Sequence, residues 1–180
     1  MNVKDAQSRI KARIWQSIAK SGEQFSMVPH DTMETLVNLA TDAALMELDD
    51  GLGDVIEGYK ESMAIAPAGE EGEKTLWEGR PFLSIGTQYI ITSERVRVIE
   101  GVLGKDREDI ELIRIQDIDQ KQTLRERMFN LGDITIRSHD DSKPKIKFNN
   151  VRDPETVHEI LRRAVLSARK QYGLAYREEM

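Results

Sequence analysis

Apolar residues recur every third or fourth position over the first 65 residues, then at every second position, and return to the helical period after residue 153. In the first segment Val3, Ala6, Ile10, Ile14 and Ile18 form one stripe, with Lys4, Arg9, Lys11 and Arg13 off it and Trp15 widening its edge. Ser21-Gly22 can end that helix. A second starts at Pro29-His30-Asp31, where Asp31 can cap and Glu34 has capping-box spacing. Met33, Leu36, Val37, Leu39, Ala40, Ala43, Ala44 and Leu48 cover a broad face, which predicts burial against another surface. Gly51 and Gly53 read as its stop, and Leu52, Val55, Ile56 and Tyr59 as one more short helix. The sum is a small helical domain over 1–65, three short helices with a thin core.

The run from Ala66 to Glu73 has one Pro, two Gly and three Glu without a large apolar residue, the composition of a linker. From Gln88 to Glu100 two β-branched runs flank Ser93-Glu94, a hairpin signal. Gly101 to Gly104 is a second turn. Ile110 and Leu112, then Ile113 and Ile115, alternate with a slip of one residue; one strand could not bury both pairs, so a bulge or turn lies between them. Two more strands, Asp133–Arg137 and Lys145–Phe148, are joined by a polar loop, Ser138–Pro144. Asp153-Pro154 then supplies a cap and a first-turn proline, and Val157, Ile160, Leu161, Ala164, Val165 and Ala168 stripe a helix that ends near Tyr172-Gly173. Strands closed by one helix give an α+β fold: a helical domain at 1–65, a linker at 66–73, a β domain at 74–172 and a tail at 173–180.

Charge sharpens this division. The chain's net charge of −6 is distributed as +4 over 1–20, −11 over 21–75, zero over 76–150 and +1 over 151–180. The absence of cysteine excludes disulfides, thiol nucleophiles and cysteine-based zinc sites. No stretch reaches the ~20 apolar residues of a membrane span, and the first 20 residues do not read as a secretory signal. The expected location is the cytoplasm, with the inner face of the membrane as an alternative.

Catalytic motifs fail on spacing. His30, His139 and His158 are dispersed, and the His158-Glu159 pair lacks the second histidine of a zinc helix. Gly101–Asp106 is too short for a phosphate loop and has Asp where Ser or Thr must hold magnesium. Asp49, Asp50, Asp54 and Glu57 match no calcium-loop frame. Ser138, His139 and Asp140 are adjacent and point to alternate faces, which does not make a triad. A non-enzymatic chain without cofactor or metal is the expectation.

Six pieces in order carry a family likeness: Leu76-Trp77-Glu78-Gly79-Arg80-Pro81; Tyr89–Thr92 with Glu94–Val96; Gly101–Gly104; Ile115-Gln116-Asp117-Ile118; Leu124 with Arg127; and Leu131-Gly132-Asp133-Ile134. Over roughly residues 74–170 the chain resembles the bacterial pleckstrin-homology (PH) domain of the second type. The resemblance implies a bent, seven-stranded antiparallel half-barrel capped by the C-terminal helix, and a binding platform. The first inter-strand loop, Ser84–Thr87, has no Lys or Arg, so Arg80, Arg95 and Arg97 are the candidates for a ligand-binding mouth. Alternation gives Arg95 and Arg97 a competing role as the solvated face of a half-buried strand. Gln116, Asp117 and Arg127 are expected to tie the bulge to the Arg127–Phe129 turn through buried hydrogen bonds, and Gly132 to ease a sharp turn into its strand.

Lys4, Arg9, Lys11, Arg13 and Trp15 form a candidate membrane or partner contact, competing with neutralisation of this basic helix by the acidic stretch. Nucleic acid is disfavoured by the acidic total. The expected function is an interaction module that self-associates or docks a protein partner. The alternative is a peripheral adaptor on anionic lipid.

Overall fold

The helical period of the first segment produces α1 (Val3–Lys20), a 3-10 turn at Gly22–Phe25 and α2 (His30–Met63). The computed structural model describes residues 3–63, 72–101, 106–139 and 144–173. The chain divides into two units, residues 1–65 and 66–180. Residues 66–71 of the expected linker, 102–104 of the second turn, 140–143 of the polar loop and 174–180 of the tail lie outside the described residues.

Side-chain contacts set α1 antiparallel to α2. Gln7 Nε2 donates to Asp42 Oδ1 at 3.1 Å, Lys11 Nζ lies 3.5 Å from Glu34 Oε1, and Trp15 stacks on His30 with centroids 5.8 Å apart. Every fourth residue of α2 from Met33 to Asp49 is buried (Met33, Val37, Thr41, Leu45, Asp49), as is Ala6 of α1. Two expectations fail here. Leu36, Leu39 and Leu48 remain about half exposed, because one partner helix covers only a narrow seam of the broad apolar face. Gly51 and Gly53 do not end the helix, which runs through both. Neither has the left-handed φ of a terminating glycine, unlike Gly22, with φ 70°, which follows α1. A helix-interior glycine costs only about 1 kcal/mol, and the helical spacing of Leu45, Leu48, Leu52, Val55 and Ile56 continues past both glycines.

The alternating region forms two antiparallel sheets. β1 (Thr75–Gly79), β2 (Thr87–Thr92), β3 (Arg95–Glu100) and β4 (Asp106–Glu111) pair in chain order, as do β5 (Ile115–Lys121), β6 (Leu131–Ser138) and β7 (Lys145–Arg152). The one-residue slip is a 3-10 corner at Leu112–Arg114 that turns the chain from one sheet to the other, with Leu112 and Ile115 both buried. A short helix, α3 (Leu124–Met128), was missed by periodicity, although Thr123 and Glu126 form a full capping box. The final helix, α4 (Pro154–Gln171), has the expected proline at its start. Asp153 occupies the cap position with φ 48°, but its side chain makes no capping bond.

The core joins both sheets to α4 through Tyr89, Ile91, Val96, Ile134, Ile136, Phe148, Val157 and Leu161, among others. This is an α+β fold, a bent antiparallel platform closed by its C-terminal helix. Gly132 permits close packing: a Cβ there would sit 2.9 Å from Pro154 Cγ and 3.1 Å from the Lys121 carbonyl.

The continuity of α2 is directly testable. A Cβ added at Gly51 or Gly58 meets nothing within 4 Å, so Gly51→Ala and Gly58→Ala should each stabilise the helical unit by about 0.5–1 kcal/mol in thermal unfolding. Were Gly51 a helix terminus in left-handed conformation, Gly51→Ala would destabilise instead.

Candidate functional site

Strand alternation sends Val96 and Val98 of β3 into the core and Arg95 and Arg97 to the opposite face, where Arg97 lies across from Asp109 of β4. On that face Arg97 is buried and Arg95 partly exposed, and carboxylates hold both. Arg97 is only 1% exposed; its Nε donates to Asp109 Oδ1 at 3.0 Å and its Nη2 lies 3.8 Å from Glu73 Oε2. Arg95 Nε is 3.1 Å from Glu73 Oε1, its Nη1 is 3.8 Å from Asp109 Oδ2, and Arg107 Nε closes on Asp109 at 3.1 Å. The Thr92 hydroxyl donates to Glu73 and accepts the Arg95 amide at 2.9 Å. An incoming anion would therefore compete with two carboxylates already on these guanidinium groups. Burial disfavours charge on Asp109, but hydrogen bonds from Arg107 and Arg97 outweigh it and hold the carboxyl below its ordinary value. Glu73 falls in the expected linker, and no residue near it in the sequence signals this role.

Arg80 braces the β1–β2 loop, its Nη1 donating to the carbonyls of Pro81 at 3.4 Å and Ser84 at 3.3 Å. The buried ties expected of Gln116, Asp117 and Arg127 do not form, since all three are exposed. The turn between β5 and β6 is instead closed by Gln122, whose Nε2 donates to the Leu131 carbonyl at 2.7 Å. Asp117 instead accepts the Ile118 amide at 2.9 Å and pairs with Arg137 at 3.3 Å.

Gln116 and Asp117 help line a groove of about 600 Å³ between β5 and α4, together with Ile118, His158, Arg162, Leu166 and Arg169. His158 Nε2 lies 3.3 Å from the Ile118 carbonyl, and Arg169 Nη2 donates to the Ile115 carbonyl at 2.5 Å. Sequence reasoning missed this groove because it joins residues some 40 to 54 positions apart.

In the helical unit, Lys11 and Trp15 are engaged with α2, while Arg9 and Arg13 are exposed. Inserting the Ile10, Ile14 and Ile18 stripe into lipid would take it away from α2, beside which those residues are half-buried. The antiparallel register places the start of α1 beside residues 42–49 of α2. From Leu48, at the edge of the covered seam, the face continues through Leu52, Val55 and Ile56 with no helix of this unit over it among the described residues; Val55 is 69% exposed.

Among the described residues no group of three or more potential ligands could hold a metal ion, and no helix is long and apolar enough to cross a membrane. The fold and its closing helix define a PH-like platform. The sequence pattern of the Bacterial PH domain family matches residues 62–165, and the chain belongs to that family. No curated protein matches the chain. Domains of this kind are interaction modules, generally non-enzymatic, that commonly bind proteins or lipids.

Glu73→Gln removes one charge from a buried network and should lower the stability of the β unit by about 3–5 kcal/mol in urea unfolding. The acid limb offers an independent check. A depressed carboxyl contributes stability above its unfolded value and loses it as pH falls through the folded one. The stability gap between the protein and Asp109→Asn should therefore narrow as pH drops below 3.8.

Proposed function

We propose that the chain is a non-enzymatic interaction module that self-associates through α2. The observation that carries this reading is the seam at Leu48, Leu52, Val55 and Ile56, which continues the face that α1 covers and then lacks a partner helix in its own unit among the described residues. Leu45, Leu48, Leu52 and Val55 follow the three-four-three spacing that packs helix against helix. A second copy also suits the charges. Arg9 and Arg13 are exposed on α1, Asp54 and Glu57 are exposed on the overhanging part of α2, and a two-fold pairing lets each copy meet the other's opposite sign. The PH-like unit then serves as a platform presented in more than one copy.

Light scattering across a wide concentration range should give a multiple of the 20.5 kDa chain mass, and Val55→Glu should return it to one chain mass. A monomer at every concentration overturns self-association, and an oligomer that survives both Val55→Glu and Leu52→Glu overturns its placement on α2.

A further inference from the structure

The groove between β5 and α4 points to a second interaction surface, independent of helical self-association: we infer that it takes an extended peptide segment of a partner protein, carrying acidic and apolar residues, as an added strand on the β5 edge. β5 pairs with β6 on one side, and no strand among the described residues pairs with its other edge. The outward backbone groups of that edge are met by side chains. Ile118 donates its N–H to the adjacent Asp117 at 2.9 Å, and its carbonyl faces His158 Nε2 at 3.3 Å. The two at Ile118 can be exchanged: Asp117 is about half exposed and has Arg137 for its other oxygen, and the His158 contact is long for a hydrogen bond, whereas Arg169 holds the Ile115 carbonyl at 2.5 Å and closes that end of the edge. The amide and carbonyl of Gln120, two residues on, point the same way as those of Ile118.

The groove's other wall selects the side chains. From His158 to Arg169, α4 flanks it for about 16 Å, the length of roughly five extended residues. Ile118, Val165 and the half-exposed Leu166 give an apolar floor. Arg162 stands at the rim, 64% exposed; its neighbour Glu159 sits 3.9 Å away but only 2.7 Å from Arg163, so Arg162 remains available to an acidic side chain. An edge strand alternates main-chain donors and acceptors at a spacing that another backbone matches along its length and a lipid headgroup does not, which favours peptide over membrane.

Panning a phage-displayed library of random decapeptides against the full chain tests this. The expected winners place Asp or Glu beside alternating apolar residues. Their synthetic forms should bind about tenfold more weakly to Arg162→Glu, lose binding to Gln120→Pro, which removes an outward N–H, and bind Lys147→Glu on β7 normally. In the complex, hydrogen exchange at the Ile118 and Gln120 amides should slow. Thermal unfolding checks each variant, and the exposed Arg162 keeps the test decisive if Gln120→Pro fails to fold. The inference is overturned if panning enriches no peptide, if the winners bind both groove variants unchanged, or if Arg162→Glu abolishes binding to phosphatidylserine vesicles while no peptide binds.

Discussion

The β unit depends on one seam, residues Phe148 to Asn150 of β7, where the two sheets meet. The Phe148 ring lies between Tyr89 of β2, at 4.3 Å and 13°, and Trp77 of β1, at 6.1 Å and 25°. Such ring pairs add about 0.5–1.5 kcal/mol each beyond the area they bury. Directly after Phe148 the ladder slips, leaving Asn149 and Asn150 opposite the single residue Asp133. A bulge frees backbone groups, and the first sheet and its β1–β2 loop take two of them: the Tyr89 hydroxyl accepts the Asn149 amide at 3.0 Å, and the Phe82 amide donates to the Asn150 carbonyl at 2.9 Å. Asp133 accepts the Asn150 amide at 2.8 Å. Because a buried backbone group without a partner costs about 1–3 kcal/mol, the bulge and the joined sheets require each other. Burial raises the Tyr89 phenol above its ordinary value of 10.0, so it is held neutral, as its place in the core demands.

The rest of the unit follows from that joint. With the sheets fastened through β1, β2 and β7, the chain passes between them a second time at the Leu112–Arg114 corner, and the space behind that corner must be filled. α4 fills it with Val157, Leu161, Ala164, Val165 and Ala168, packing on the corner, β5, β6 and β1. Its first turn can approach β6 because residue 132 has no side chain. The same placement leaves β5 as an edge beside a helix, and the groove is the residual space between a straight helix and a strand that bends at residue 116, where the β5–β6 register shifts.

What the sequence made legible was whatever local periodicity controls. The Ser93-Glu94 hairpin, the corner at the one-residue slip and the stripe of α4 all depend on which face of a short element is apolar, and a window of ten residues contains that information. What it hid depends on distant partners. Alternation alone left Arg97 either solvated or gripping a ligand, because nothing nearby announces that Glu73, 24 positions earlier, and Asp109, 12 later, converge on it. Gln116 and Asp117 looked like buried ties, since motif residues next to a bulge often are, but β5 lies at an edge and its outward polar groups stay exposed. The glycines of α2 misled for another reason. A stop signal works through left-handed geometry and the loss of apolar spacing together, and only the residue type was present.

The buried charges bear on how β1 is set in register. Ion pairs removed from water gain little over well-packed apolar groups, and their best-attested use is to exclude wrong pairings. β1 is a five-residue edge strand whose ladder slips after Thr75, and so short a strand specifies its own register weakly. Glu73 stands two residues before it, fastened by Thr92, Arg95 and Arg97. Lys74 adds a reciprocal pair with Ser93: its amide donates to the hydroxyl at 3.1 Å and its carbonyl accepts the Ser93 amide at 2.8 Å. Sliding β1 by one residue would withdraw the carboxylate from two arginines and turn Trp77 away from Phe148. The charged grip on one face and the aromatic stack on the other thus select the same register.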